Sequence, residues 1–258
     1  SFLNFLLGFI LFGTVFVFPI YFQGYLGFTA MQSGLMFTPG AIASALCMPF
    51  IGIMLTKGVP PKFLIMAGFA INAGFVFWSS ELLTTSTPEE AFFWPLLIRG
   101  IGTGLLFVPL SNLTLGGLFG QDIGQASGLS NMIRQLGGAF GIALANNYIA
   151  RQYAQHRTDL VSKITDGAAV FTEQKNAIAQ GIISRTGDNL TTASTKAMAI
   201  INQSIDRQAY YLSYLDTFRL ITIFFILVIP LVAFLRVKKK TATEAEKALA
   251  KAAVADAH

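Results

Sequence analysis

Apolar runs of about twenty residues recur along this chain, and no other feature restricts its fold so tightly. A helix rising about 1.5 Å per residue needs about 20 residues to cross roughly 30 Å of hydrocarbon. Segments 2–22, 33–55, 63–80, 91–115, 126–149 and 218–235 each come near that length. With 53% hydrophobic and only 12% charged residues, 24 phenylalanines and a mean hydropathy of +0.60, the composition is far from that of a soluble domain. The expected fold is an all-α integral membrane bundle of six helices.

Several chemistries drop out. Cys47 is the single cysteine, so no internal disulfide exists, and it sits in an apolar run where it packs. His156 lies in a polar stretch and His258 is the last residue, which leaves the spans without a histidine for haem or metal. No HExxH, GxSxG or Walker sequence is present, so neither an enzyme nor a cofactor is expected. The +5 charge is explained by membrane orientation rather than nucleic acid. The chain opens at Ser1 directly with FLNFLLGFILFG, which reads as a start partway through a longer polypeptide.

Orientation follows from the short connections, because lysine and arginine near span ends stay on the cytoplasmic side. The loop TKGVPPK carries Lys57 and Lys62, and the next, ELLTTSTPEE, carries Glu81, Glu89 and Glu90 with no base. The first loop is therefore expected inside and the second outside, and RVKKK after the last span again inside, against anionic headgroups. Residues 150–215 then fall outside; their seven bases and five acids do not oppose this, since long segments translocate regardless of charge. Helical spacing in KAMAIINQSIDRQAYYLSYL predicts one or two surface helices there. In FTAMQSG, Thr29 and Gln32 have the spacing of a capping box. The expected organisation is residues 1–80 as three spans, 91–236 as three more with the external segment, and 237–258 as a basic, alanine-rich cytoplasmic tail.

Two arginines interrupt the apolar runs. In NMIRQLGGAFG, Arg134 lies about eight residues into its span, and an arginine at mid-depth costs roughly 2.5–3.5 kcal/mol unless it faces protein or water. Asn131, Arg134, Gly137, Gly138 and Gly141 share one helical face, a groove of small residues that admits a second helix closely. Arg134 either faces the bundle and takes part in transport or snorkels to the inner interface. In LLIRGIGTGLLFVP, Arg99 sits beside Gly100, Gly102 and Gly104, with Pro109 able to bend the helix. Arg99 and Arg134 together suggest a polar path or a latch; the alternative is structural charge satisfied by backbone carbonyls. No span carries a carboxylate at mid-depth. Asn4, Gln23, Asn72 and Asn112 are lesser candidates for a cavity, or for helix–helix hydrogen bonds.

Over nearly its whole length the chain resembles the C-terminal half of a major facilitator superfamily transporter, of the fourteen-span EmrB/QacA drug:proton antiporter type. The resemblance rests on YFQGYLGFTAMQSGLMFTPGAI, RGIGTGLLFVPLSN, ASGLSNMIRQLGGAFGIAL and the long external segment. It implies proton coupling through Arg99, a bending interface lined by Arg134, Gly137, Gly138 and Gly141, and inverted three-helix repeats with first and fourth spans lining the cavity. The stretch 52–62 resembles the family's cytoplasmic signature, with Thr56 where that signature has an aspartate.

The function so implied is proton-driven multidrug efflux from the inner membrane by alternating access, for a small hydrophobic or cationic substrate. The implied partners are protons, a missing N-terminal half with the coupling carboxylates, membrane lipid and a periplasmic adaptor protein. A six-helix scaffold without transport activity, or an importer of a small metabolite, stays open as an alternative.

Overall fold

The computed structural model describes residues 2–83, 88–115, 121–166 and 168–234. Every regular element among them is helical: α1 (Phe2–Gly24), α2 (Ala30–Met36), α3 (Thr38–Thr56), α4 (Pro61–Leu82), a 3₁₀ turn (Glu89–Phe92), α5 (Phe93–Leu115), α6 (Gln121–Asp166), α7 (Ala168–Thr186) and α8 (Leu190–Phe234). The end of the last expected span at Leu235 and the tail 237–258 lie outside the described residues.

Among the described residues, five stretches are long and apolar enough to cross a membrane: Phe2–Gly24, Ala30–Thr56, Pro61–Leu82, Glu90–Leu115 and part of Leu190–Phe234. The sixth expected span, 126–149, is helical within α6 but falls short of that apolarity. Asn131, Arg134, Gln135, Asn146 and Asn147 dilute it. The second span is broken near its start, where α2 stops at Met36 and α3 restarts with a proline in its first turn. Pro39 has no N–H to continue the ladder. The start of α2 carries the expected capping box: Thr29 accepts from the Gln32 backbone and the Gln32 side chain accepts from the Thr29 backbone.

Packing follows a crossed pattern. Most of the face α1 buries lies against α6, while α3 and α4 both pack on α5, and α4 packs on α8. The core is aromatic: Phe18 meets Phe75 and Phe218, Tyr21 meets Tyr214, and Phe22 meets Phe92 in an edge contact with centroids 4.9 Å apart. Trp78 and Trp94 stand exposed at one end of the bundle, where indole rings suit a membrane–water boundary. At the other end Lys62, in the first turn of α4, donates its ammonium to the Ala233 carbonyl near the end of α8.

The segment 150–215, expected outside the membrane as a loop with one or two surface helices, is almost entirely helical. α6 runs unbroken for 46 residues and α8 for 45, each about 68 Å at helical rise, more than twice the hydrocarbon thickness. The two continue past the Trp78 end as an antiparallel hairpin, and α7 lies along α8 around Ala179, Ala193 and Ala197. Hydropathy changes near residue 150, but nothing in ARQYAQHRTDL breaks a helix, so the backbone carries on through the boundary.

Candidate functional site

Of the glycines flagged in the sequence, Gly137, Gly141 and Gly100 are points of backbone contact, and Gly138, Gly102 and Gly104 lie first against side chains. A Cβ built on Gly137 would come within 2.1 Å of the Phe5 carbonyl oxygen, and one on Gly141 within 2.1 Å of that of Phe9. Gly138 lies against the Phe12 ring. In return, a Cβ on Gly8 would meet the Arg134 carbonyl oxygen at 1.9 Å. The seam between α3 and α5 repeats the device: Gly100 would meet the Gly40 carbonyl oxygen at 1.9 Å, and Gly104 approaches Ser44 and Ile51. Gly102 faces Asn72 of α4. Helices in lipid gain from such van der Waals contact, since the tails are as apolar as the side chains.

Arg134 emerges beside the first seam. Its guanidinium lies over the Phe107 ring of α5, 4.7 Å from the centroid, and one Nη donates to Asn131 Oδ1 at 2.6 Å. Phe107 is about two turns before the end of α5 at Leu115, or roughly 12 Å in from that end. Arg99 is two further turns away along α5, with its guanidinium between Phe37 at 5.2 Å and Phe75 at 5.9 Å, and its Nε is buried with no hydrogen-bond partner. Among the described residues neither arginine has a carboxylate within 4 Å, and no backbone carbonyl accepts from either. The carbonyl-satisfied alternative is therefore not the observed arrangement. The two arginines also do not meet: Arg99 lies on α5 between Phe37 and Phe75, while Arg134 reaches from α6 to Phe107 of α5.

Of the lesser candidates, Asn4 is buried and donates to Thr114 Oγ1 at 3.2 Å, joining α1 to α5. Buried Asn72 donates to the Gly68 carbonyl of its own helix. Gln23 and Asn112 are exposed. Sequence reasoning missed the aromatic partners Phe37, Phe75 and Phe107, which a phenylalanine-rich chain does not single out, and the opposing glycines Gly8 and Gly40. Gly40 and Ser44, four apart, carried a legible small-residue spacing. A separate apolar crevice between α1, α6 and α8, near Phe9, Leu144 and Phe224, includes neither arginine. No cluster of three metal-binding side chains occurs among the described residues.

Where the hairpin leaves the bundle, polar contacts take over. Arg157 Nε donates to Asp206 Oδ1 at 2.7 Å and the Tyr153 hydroxyl to the same oxygen at 2.9 Å, while the Tyr153 and Tyr210 rings stack at 4.0 Å. The Arg157 hydrogen bond, then that of Tyr153, holds the Asp206 carboxyl below the usual carboxylate range. Lys196 and Thr186 do the same for Asp188. His156 Nε2 lies 2.7 Å from Asp216 Oδ2.

The sequence model described as Major Facilitator Superfamily matches residues 1–142. Among curated relatives, the fatty acid resistance protein FarB of Neisseria gonorrhoeae is 29% identical over 227 residues, 88% of this chain and 43% of that protein. The multidrug export protein EmrB of Escherichia coli K12 is 27% identical over 86% of this chain and 42% of its own length. The cephamycin export protein CmcT of Amycolatopsis lactamdurans is 35% identical over 58% of this chain and 31% of its own length. The chain thus spans less than half the length of the relatives it matches. Its apolar helices, glycine seams and family match agree: the chain belongs to the Major Facilitator Superfamily of multi-pass membrane transporters, not to an enzyme family.

Proposed function

We propose that this chain is the C-terminal half of a proton-coupled efflux transporter that exports small hydrophobic compounds from the inner membrane by alternating access. The crossed glycine packing carries the reading. The first helix of one triplet (α1) lies on the second of the other (α6), and α5 lies reciprocally on α3. That exchange is the pattern expected of two inverted repeats, one of α1, α3 and α4 and the other of α5, α6 and the membrane part of α8, which makes six spans in all. The resistance and export proteins among the relatives support export as the direction.

The second half would cover the faces left open on α3 and α6. Only 17% of the apolar window of Ala30–Thr56 is buried, against 56% for Phe2–Gly24. Leu129, Met132, Leu136 and Phe140 form the matching exposed strip on α6. Because the described spans have no mid-depth carboxylate, the proton-carrying acid belongs to that other half. Lys57 and Lys62 support a cytoplasmic position for their end of the bundle, and with it an outside position for the α6–α8 hairpin, where it would meet a periplasmic adaptor.

The test uses the full-length protein in cells deprived of their own pumps. Its expression should lower accumulation of a hydrophobic fluorescent drug, and dissipating the proton gradient should abolish that effect. Arg134→Ala should reduce efflux with membrane insertion intact. Unchanged efflux at equal expression would remove Arg134 from the mechanism, and no efflux by the unaltered protein would remove the exporter reading.

A further inference from the structure

We propose that Arg99, Ser79 and Ser33 bind one monatomic anion, chloride in the cell, inside the Trp78 end of the bundle, where it supplies a counter-charge that the described residues do not.

Buried hydroxyls in these helices return their hydrogen bond to a carbonyl four residues back, as Thr14, Ser213, Thr217 and Thr222 do. Ser33 and Ser79, 2% and 0% exposed, depart from this: neither Oγ has a partner among the described residues, and neither has the buried Arg99 Nε. The Tyr25 hydroxyl is also unpartnered, but it belongs to another cluster, with Arg207 over its ring.

Helix register brings the first three together. α4 runs against α5 with Gly68 at Leu106 and Asn72 at Gly102, so Phe75 falls at Arg99 and Ser79, one turn on along the same stripe, at the level of Pro95. A helical side chain leans toward the N-terminus of its helix, which carries the Arg99 guanidinium toward that level. On the other side Gly40 touches Leu96 and Gly100, Phe37 lies on the guanidinium, and Ser33 is one turn beyond Phe37 on the same face. Both serines are enclosed by this chain's own helices, so the site needs no residue from a second half.

Charge and size select the ligand. The Arg99 Nε–H and both hydroxyls can donate, and no carboxylate lies within 4 Å of Arg99 among the described residues. An enclosed cation without a counter-charge is costly at low dielectric, and only an anion removes that cost. A Cβ on Gly100 would meet the Gly40 carbonyl oxygen at 1.9 Å and one on Gly102 the Asn72 Nδ2 at 2.5 Å, so α3 and α4 both touch α5. The space between suits a single ion rather than an organic substrate. The ion thereby ties the break between α2 and α3, and the end of α4, to α5 through one charge.

Thermal unfolding of the purified full-length protein in detergent tests this, with sodium chloride exchanged for sodium gluconate at constant ionic strength. Chloride should raise the midpoint saturably, bromide should do the same, and the bulky gluconate should not. Ser79→Ala removes one donor without adding bulk, and should raise the half-saturating chloride concentration about ten-fold, as expected for a hydrogen bond to a charged group. Ser80→Ala, whose hydroxyl is already bonded to the Phe77 carbonyl, should leave that concentration unchanged. Arg99→Gln should abolish the response; Ser79→Ala decides the case even if that variant does not fold. Equal midpoints in chloride and gluconate overturn the proposal. So does a chloride response that Ser79→Ala leaves unaltered, which would mean an adventitious ion only. Export is not the readout, so the exporter reading stands or falls by its own test.

Discussion

The bundle and the hairpin beyond it share two helices, α6 and α8, yet they are held by different means. Inside the bundle, cross-helix polar bonds among the described residues are few: Asn4 to Thr114, Tyr211 to the Leu83 carbonyl at its edge, and Lys62 to the Ala233 carbonyl. What closes the structure there is approach of one backbone to another at Gly8, Gly137, Gly141, Gly40 and Gly100. In the hairpin the glycines are gone from the α6–α8 contact, and Arg157, Tyr153, Asp206, His156 and Asp216 join the helices instead. The solvent sets the rule. Lipid gives no hydrophobic drive between helices, so fit decides; water does, and an exposed ion pair adds little beyond register.

If fit decides in the bundle, bulk should break it. Gly141→Leu would drive four carbons into the Phe9 backbone, and the α1–α6 seam should open, giving loss of folded transporter by detergent gel filtration together with loss of export. Tyr211→Phe leaves the Leu83 carbonyl without its partner at the junction of the two regions, and should cost about 1 kcal/mol in thermal stability. Asn4→Ala removes a bond within the bundle and should cost about 0.6 kcal/mol, the usual value between membrane helices. In the hairpin, Asp206→Asn should raise amide hydrogen exchange in α6 and α8 beyond residue 150 while leaving α1 through α5 unchanged.

Acid should sharpen the same contrast. The folded-state carboxyl of Asp206 is held below its ordinary value by Arg157 and then Tyr153, and that of Asp188 by Lys196 and then Thr186. Their contribution is therefore fully present above the ordinary carboxylate pKa of about 3.9 and is lost as pH falls through the lower folded value. Around Asp206 and Asp188, protection from exchange, corrected for the intrinsic pH dependence of amide exchange, should hold down to about pH 4 and fall below it. The glycine seams contain no titrating group and should not respond.

Much of the bundle was legible. The spacing of Arg134, Gly137, Gly138 and Gly141 identified a groove for a second helix, and each of those glycines does meet one. The partner was not legible, because Gly8 in FLLGFILFG has no small residue four positions away to mark it. Arg99 and Arg134 read as a polar path or a latch, with structural charge as the alternative, yet an arginine can sit on a phenylalanine face as well as against a carboxylate, and in a chain with 24 phenylalanines the sequence does not say which ring. The hairpin was half legible: helical spacing showed its surface helices, whereas their continuity with the spans depends on the absence of any breaker near residue 150, a weaker signal than the change in hydropathy there.

The central claim, that the glycines act through close backbone approach rather than through flexibility, is tested most directly by thermal unfolding of four alanine variants of the full-length protein in detergent. Gly8→Ala and Gly100→Ala place a methyl 1.9 Å from a carbonyl oxygen of the facing helix, whereas Gly24→Ala and Gly74→Ala meet nothing within 4 Å. The first pair should unfold well below the unaltered protein and the second pair at its temperature or slightly above, since alanine is the better helix former by about 1 kcal/mol. Four variants with the same midpoint would contradict the claim.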